Sequence, residues 1–229
     1  MSLISDNLSR ITDEIHAGCK RTGRDPATVS LMAVSKNHPA ESVLEAMAAG
    51  HKLFGENRIQ EAKEKFGSIT GEYELHMIGH LQRNKVQDAV SLCSCIQSVD
   101  ALRTLEKISR ISSETWNNVD VLLEVNTSQE ATKNGVLGLE ELEALIHEGM
   151  KMSGIRIRGL MTMAPFTEDR DKIRTSFVSL RKLFEEIGSR GLFPAWDTLS
   201  MGMSSDFDIA IEEGSTLVRI GTAIFGGRT

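Results

Sequence analysis

The sequence predicts an α/β fold, a single (β/α)8 barrel of the TIM type with an extra N-terminal helix. Two observations lead to this prediction. Eight short apolar or β-branched runs alternate with helical patterns along the 229 residues, which implies parallel strands joined by helical crossovers. Runs such as residues 119–125 are nearly continuously apolar, as in strands covered on both faces. An open doubly wound sheet is the alternative arrangement of the same elements.

The elements follow one another in a regular order. Residues 1–22 place Ile4, Leu8, Ile11 and Ile15 on one stripe of a helix that precedes the first strand. Strands are predicted at 31–36, 52–57, 74–79, 95–100, 119–126, 155–163, 198–203 and 217–221. Helix candidates between them include 39–49, 58–66, 101–112, 139–150 and 170–188, the last with Ile173, Phe177, Leu180, Phe184 and Ile187 on one face. Because no linker, repeat or low-complexity tract interrupts this order, residues 1–229 are expected to form one domain, with the barrel at 31–227.

Composition and charge exclude several classes of function. The net charge is -6 and the pI is about 5.6, with no basic run longer than a pair, which argues against a nucleic-acid or anionic membrane surface. Without a leader-like N-terminus or an apolar stretch of about 18 residues, the chain is expected to be cytoplasmic. Cys19, Cys93 and Cys95 are too few and too irregularly spaced for a disulfide framework or a zinc site, so all three are expected to be reduced.

Residues with reactive or hydrogen-bonding side chains follow the predicted strands. Because the carboxyl ends of barrel strands converge on one face, these residues are expected to share one site. Lys36 ends the first apolar run. The other segments of this kind are 55–58, 78–82, 126–127, 161–165, 200–204 and 219–222. A solvated loop lysine is the alternative interpretation of Lys36.

The loops after strands seven and eight resemble a phosphate site, because backbone N–H groups meet an anion there in many barrels. Ser200 and Ser204 offer hydroxyls, Gly221 allows a close backbone approach, and Thr222 adds another hydroxyl. Plain caps and turns are the alternative, with Ser204 or Ser205 capping a helix that starts near Asp206.

A lysine after strand one together with such a phosphate cradle meets the needs of a pyridoxal 5′-phosphate (PLP) site. The amine forms an imine with the aldehyde, and the cradle holds the phosphate. Arg219, inside the last strand, is then placed to face the pyridine nitrogen. An ion pair with Glu124 inside the barrel is the alternative role for Arg219.

Several blocks together resemble one known family. They are the segments Ala33-Val34-Ser35-Lys36, Phe54-Gly55-Glu56-Asn57-Arg58-Ile59-Gln60-Glu61, His76 to Lys85, Arg158 to Met161, Leu199 to Ser204 and Val218 to Gly226. They resemble the pyridoxal phosphate homeostasis protein family, whose fold is similar to the barrel domain of alanine racemase. The resemblance runs from about residue 30 to residue 227. Lys36-Asn37-His38 departs from the Lys-Thr-Lys or Lys-Gln that is common in that family.

The resemblance implies a role for each site residue. It implies that Lys36 carries PLP as an internal aldimine and that Arg219 lies near the ring nitrogen. It places Ser200, Ser204, Gly221 and Thr222 around the phosphate, with Asn57 and His80 lining the pocket. It also implies intracellular PLP homeostasis, by buffering the cofactor or delivering it to apo-enzymes.

Two arguments from the sequence favour a carrier over the alternative, a PLP-dependent amino-acid racemase. Two-base racemisation needs a second proton-transfer group, and the only tyrosine, Tyr73, precedes strand three and is expected at the opposite end of the barrel. An arginine at the ring nitrogen hardly gives up a proton, which leaves the ring a poor electron sink. No catalytic residue is therefore assigned. No metal ligand is assigned either, since His76 and His80 do not share a helical face. The protein is expected to be a monomer.

Overall fold

The computed structural model describes residues 2–128, 130 and 133–227, which form a closed barrel of eight parallel strands. The strands lie in chain order around the barrel, and the eighth pairs with the first to close it. The predicted (β/α)8 barrel is therefore confirmed, and the alternative of an open doubly wound sheet is wrong.

All eight predicted strands are present, and each ends one to three residues earlier than predicted. The strands are β1 (Ser30–Val34), β2 (Leu53–Glu56), β3 (Glu74–Met77), β4 (Cys95–Val99), β5 (Val119–Glu124), β6 (Ile155–Met161), β7 (Thr198–Ser200) and β8 (Leu217–Ile220). The residues beyond these ends form loops at the carboxyl end of the barrel, so the early endings define the mouth where the site residues were expected.

Helices surround the barrel. They are α1 (Leu3–Arg21), α2 (Ala40–Ala48), α3 (Ile59–Phe66), α4 (Val86–Leu92), α5 (Leu102–Thr115), α6 (Gly138–Gly149), α7 (Arg170–Ser189), α8 (Phe207–Glu212) and α9 (Thr222–Phe225), with 3-10 turns at Pro26–Thr28 and Arg83–Lys85. Two of them, α4 and α9, were not among the predicted helices. Within the described residues, no helix is both long enough and apolar enough to cross a bilayer.

The first helix forms for the reasons that its sequence gives. The Ser2 hydroxyl accepts a hydrogen bond from the Ser5 N–H at 3.3 Å and caps the helix. The predicted stripe is buried, and α1 packs against α2, α8 and α9. The extra helix is thus fixed to the outside of the barrel by burial of one apolar face.

The eighth helix begins differently from the expectation. Asp206 is its N-cap residue, and its carboxylate accepts from the Met203 N–H at 2.6 Å instead of bonding into the helix. The prediction that Ser204 or Ser205 caps this helix is wrong, because Ser204 turns toward α9, where its hydroxyl accepts from the Ala223 N–H at 3.4 Å.

Side chains alternate between two cores, as the pleat of a strand requires. Outward residues such as Ala33 and Ile96 join the large core beneath the helices. Inward residues form two smaller clusters inside the barrel, one of Met32, Val34, Ile78 and Leu217, the other of Cys95, Leu122 and Met161. Cys19, Cys93 and Cys95 are all buried free thiols. The barrel is therefore a packed core rather than a pore.

Candidate functional site

The predicted site residues lie at the carboxyl end of the barrel. Lys36 follows β1 by two residues and is partly buried. Gly221 and Thr222 follow β8 directly, and the two strands pair with Ala33 opposite Ile220. The register therefore brings Lys36 and the Gly221–Thr222 segment to neighbouring strand ends.

Lys36 belongs to a tight turn at the mouth. The Ser35 N–H still donates to the Gly55 carbonyl of β2 at 3.2 Å, and the His38 N–H donates back to the Ser35 carbonyl at 3.1 Å. Between them Asn37 adopts a left-handed conformation, with φ of 61°. Asparagine tolerates that region better than most residues. The turn gives the backbone around Lys36 a defined shape.

Arg219 is buried inside the barrel, with 4% of its surface exposed. Its Nη1 donates to the Ser200 hydroxyl at 2.6 Å, and its Nη2 donates to the Thr162 carbonyl at 2.7 Å. No ion pair with Glu124 is found among the described residues, so that alternative is not what the geometry shows. Burial lowers the pKa of Arg219 to about 10, although the charges of Asp206 and Glu124 act in the opposite direction. The guanidinium therefore stays charged at neutral pH.

A hydrogen-bonded chain crosses the barrel to hold Arg219. The Ser200 hydroxyl donates to the Gln97 Oε1 at 2.7 Å, and the Gln97 amide lies 2.8 Å from the His76 Nδ1. Strands β4 and β7 are separated by two other strands in the closed barrel, so this bond crosses its interior. Gln97 is an unpredicted member of the site, and its only signal in the sequence is a polar residue within an apolar strand.

The Ser200 hydroxyl is fully engaged by this chain. It gives its proton to Gln97 and accepts from Arg219, and the residue is completely buried. A hydroxyl has one proton to donate. In this arrangement Ser200 has no proton left for a phosphate oxygen, whereas Ser204 lies nearer the surface and close to α9.

Ser200→Ala is expected to lower the free energy of unfolding by about 2 kcal/mol, because it leaves the Arg219 Nη1 and the Gln97 Oε1 without a partner in the barrel interior. Denaturant unfolding of the wild type and the variant measures the difference. Ser205→Ala, at an exposed neighbouring serine, is the matched control. Equal stability of Ser200→Ala and the wild type would contradict this account of the chain.

The segment after β8 approaches the end of β1 closely. A Cβ added to Gly221 would lie 3.1 Å from the Val34 carbonyl oxygen, so a side chain there would crowd the start of the Lys36 turn. Thr222 is exposed, and the Ser204 hydroxyl reaches the same segment through the Ala223 N–H. Hydroxyls and backbone N–H groups of two loops thus meet beside Lys36.

Asn57 and His80 lie in the loops after β2 and β3, and these loops touch each other. A Cβ on Gly79 would lie 2.3 Å from the Asn57 carbonyl oxygen, so only glycine fits between them. The Gly79 carbonyl accepts from the Ser98 hydroxyl at 2.6 Å, which ties the same loop to β4. Asn57 is partly buried and His80 is exposed. Both residues therefore lie at the mouth, Asn57 beside the first strand after β1 and His80 beside the second.

Tyr73, Lys133 and Glu124 have surroundings that differ from those of the residues above. Tyr73 precedes β3 at the amino end of the barrel, where its ring packs on Phe66. The Lys133 ammonium donates to the Ala164 carbonyl at 2.9 Å and pairs with Glu130. Glu124 is buried at the end of β5, and burial raises its pKa to about 7. Within the described part of the chain, no cluster of three or more His, Cys, Asp or Glu residues could hold a metal ion.

Comparison with known proteins gives consistent results over the whole chain. Residues 7–229 match the family model "Alanine racemase, N-terminal domain". The "Pyridoxal phosphate homeostasis protein" of Pseudomonas aeruginosa is 41% identical over 229 residues, covering 100% of this chain and 97% of the relative. The protein of the same name from Aquifex aeolicus is 39% identical and covers 97% of each chain.

Solved structures agree with the fold. PipY from Synechococcus elongatus, in a structure with PLP bound, is 34% identical, with a TM-score of 0.85 and coverage of 97% of this chain and 100% of that one. An alanine racemase from Clostridium difficile is 17% identical, with a TM-score of 0.78 over 97% of this chain and 57% of that one, and supports the fold alone. The chain therefore belongs to the alanine racemase N-terminal domain family and, within it, to the pyridoxal phosphate homeostasis proteins.

Proposed function

We propose that this chain binds PLP at the carboxyl mouth of its barrel, with Lys36 as the residue of covalent attachment, and serves PLP homeostasis as a carrier without efficient catalysis. The observation that carries the proposal is the register of β1 against β8, which brings Lys36, the Gly221–Thr222 segment and the buried Arg219 to one mouth. The names of its relatives and the PLP in the PipY structure support the same cofactor.

The residues present fit the cofactor. PLP supplies an aldehyde that condenses with a primary amine and a phosphate that needs hydrogen-bond donors. Lys36 offers the amine, and the Thr222 and Ser204 hydroxyls with nearby backbone N–H groups offer the donors. We assign the phosphate to Ser204, Gly221 and Thr222, and we assign Ser200 to holding Arg219, since its hydroxyl is already engaged on both sides. Asn57 and His80 then line the side of the pocket after β2 and β3.

The proposed absence of efficient catalysis rests on Arg219 and Tyr73. Arg219 keeps its proton at neutral pH, so it would donate a hydrogen bond to the ring nitrogen of bound PLP without protonating it. Such a ring withdraws electrons weakly. Tyr73 lies at the amino end of the barrel, away from Lys36. Tyr73 therefore does not supply the second proton-transfer group that two-base racemisation requires opposite the lysine. Buffering of PLP, and its delivery to apo-enzymes by the monomeric protein, follow as the proposed role.

Titration of the purified protein with PLP tests the proposal. We expect a visible absorbance band of a lysine imine, and borohydride is expected to fix one equivalent of the cofactor on the peptide that contains Lys36. A protein that stays colourless at every PLP concentration would rule out the proposed site. In deuterated buffer with added amino acids, α-proton exchange is expected to match that of free PLP. Exchange far above that level would favour the alternative, an amino-acid racemase.

A further inference from the structure

Lys65 on α3 is a buried lysine directly beneath the Lys36 turn. Its side chain is 5% exposed, and its ammonium donates to three oxygens. These are the Ser35 carbonyl at 2.6 Å, the Glu56 Oε1 at 2.6 Å and the Glu61 Oε1 at 3.0 Å. A lysine is rarely buried to this extent unless its charge is paired.

The oxygens around Lys65 hold the backbone on both sides of Lys36. On the amino side, the carbonyl bound by the ammonium belongs to Ser35, whose hydroxyl also donates to the Glu56 Oε1 at 2.7 Å. On the carboxyl side, the Asn37 N–H donates to the Glu61 Oε1 at 2.5 Å, the oxygen that Lys65 also binds. One ammonium therefore connects the residue before Lys36 and the residue after it.

Stability alone does not account for the cluster of Lys65, Glu56 and Glu61. The buried ammonium is shared by two carboxylates, of which that of Glu56 is buried and that of Glu61 is partly exposed, and the Glu56 Oε2 is buried without a hydrogen-bond partner. Apolar side chains of similar volume often replace buried ion pairs without loss of stability. What an apolar group cannot supply is a set of directed bonds to the Ser35 carbonyl and the Asn37 N–H. The arrangement also accounts for Glu56 and Glu61, two acidic residues of the 54–61 block that the proposed site does not use.

We propose that Lys65 is a positioning residue which, with Glu56 and Glu61, fixes the backbone on both sides of Lys36 and so sets how fast its amine captures PLP. The inference rests on the proposed function. In the capture step the amine nitrogen adds to the aldehyde carbon, a C=N bond forms, and the aldehyde oxygen leaves as water, with no change of oxidation state. Such a step depends on how closely the amine is held to its approach geometry, because small displacements of a reacting group cost rate.

Replacement of Lys65 tests this role. Lys65→Met keeps an unbranched stem and removes the charge, while Lys65→Arg restores a cation. Lys63→Met is the matched control, since Lys63 is exposed on the same helix and pairs with Asp88. Stopped-flow absorbance after addition of PLP measures the capture rate. We expect Lys65→Met to slow capture by about tenfold or more, Lys65→Arg to recover part of the rate, and Lys63→Met to match the wild type.

Amide hydrogen exchange in the protein without PLP provides a second readout. Lys65→Met is expected to lower the protection of the Asn37 N–H, because Glu61 loses the ammonium that orients it. Lys63→Met is expected to leave that protection unchanged.

The outcomes separate the two proposals. A folded Lys65→Met protein that captures PLP at the wild-type rate would overturn the positioning role and leave the proposed function standing. If the wild type itself captures no PLP, the proposed function fails and the positioning role falls with it. If Lys65→Met does not fold, Glu61→Gln takes its place, because it keeps an acceptor for the Asn37 N–H but removes the charge. We expect this variant to slow capture severalfold, and a wild-type rate would overturn the inference.

Discussion

Lys36→Ala is expected to abolish covalent capture of PLP. The visible absorbance band should be absent at every concentration of the cofactor, and borohydride should fix no equivalent of it on the protein. The reason is chemical, since only a primary amine condenses with the aldehyde and alanine has none. Weak binding should remain, because the Ser204 hydroxyl, Thr222 and Arg219 still offer their donors at the same mouth.

Two further variants complete this experiment. Lys36→Arg keeps a cation of similar length but has no amine that loses its proton at neutral pH, so it is expected to behave like Lys36→Ala. Lys63→Ala removes a lysine that is exposed on α3 and should leave capture unchanged. A stoichiometric adduct on Lys65 or Lys133 in the Lys36→Ala protein, formed at the wild-type rate, would place the attachment site elsewhere.

The order and type of the strands could be predicted from the sequence, but their carboxyl ends could not. An apolar pattern in the sequence indicates which residues are buried, and residues stay buried beyond the last hydrogen bond of the sheet. Ile78 and Met201 are buried although they lie beyond β3 and β7. The loops fold over the barrel and exclude water from side chains that are no longer paired in the sheet. For this reason every predicted strand extends into the mouth.

Short helices were harder to predict than long ones. Seven residues form α4 and four form α9, which is too few for an apolar face to repeat clearly. By contrast, Phe177 and Leu180 of the twenty-residue α7 lie on the buried face that the spacing predicted. Length, rather than propensity, decided which helices the pattern identified.

The candidate site also contains residues that could be predicted from the sequence and residues that could not. Residues that follow strand ends were predictable, because barrel topology alone brings Lys36 near Gly221. The groups that hold them were not. Gln97 reaches Ser200 across the barrel, and Lys65 reaches the Ser35 carbonyl from a helix thirty residues later. Neither contact follows from sequence spacing, since each joins residues that only the folded barrel brings together.

Acidification from pH 7 to pH 4 is expected to remove about 3 kcal/mol of the free energy of unfolding through His76 alone. In the folded protein His76 lies beside a cavity of about 300 Å³ at the amino end of the barrel, close to Asp120 and Arg158. Burial lowers its pKa from 6.5 to about 4, with the Asp120 charge opposing the shift and the Arg158 charge adding to it.

The sign follows from proton binding in the two states. Between pH 6.5 and pH 4 the unfolded chain protonates His76 and the folded protein does not, so stability falls as the pH falls through this range. A hydrogen bond favours the neutral ring in addition to burial. The Gln97 amide donates to the His76 Nδ1 at 2.8 Å, with the amide oriented by the Ser200 hydroxyl on its other side, and a protonated Nδ1 would place two donors against each other.

His76→Asn isolates this term, because the asparagine carbonyl still accepts from Gln97 but does not titrate. A difference measurement is needed, since Glu124 acts in the opposite direction. Its pKa is raised to about 7, so the folded protein binds a proton before the unfolded chain does, and stability rises through Glu124 as the pH falls from 7. The net wild-type profile is therefore flatter than either contribution.

Denaturant unfolding at a series of pH values separates the contribution of His76 from that of Glu124. The comparison includes the wild type, His76→Asn and the control His147→Asn, which lies at an exposed position of α6. We expect the gap between the wild type and His76→Asn to change by about 3 kcal/mol between pH 7 and pH 4, while His147→Asn follows the wild type. Parallel profiles for the wild type and His76→Asn would contradict the lowered pKa of His76 in the folded protein, because a ring with the same pKa in both states contributes no pH dependence.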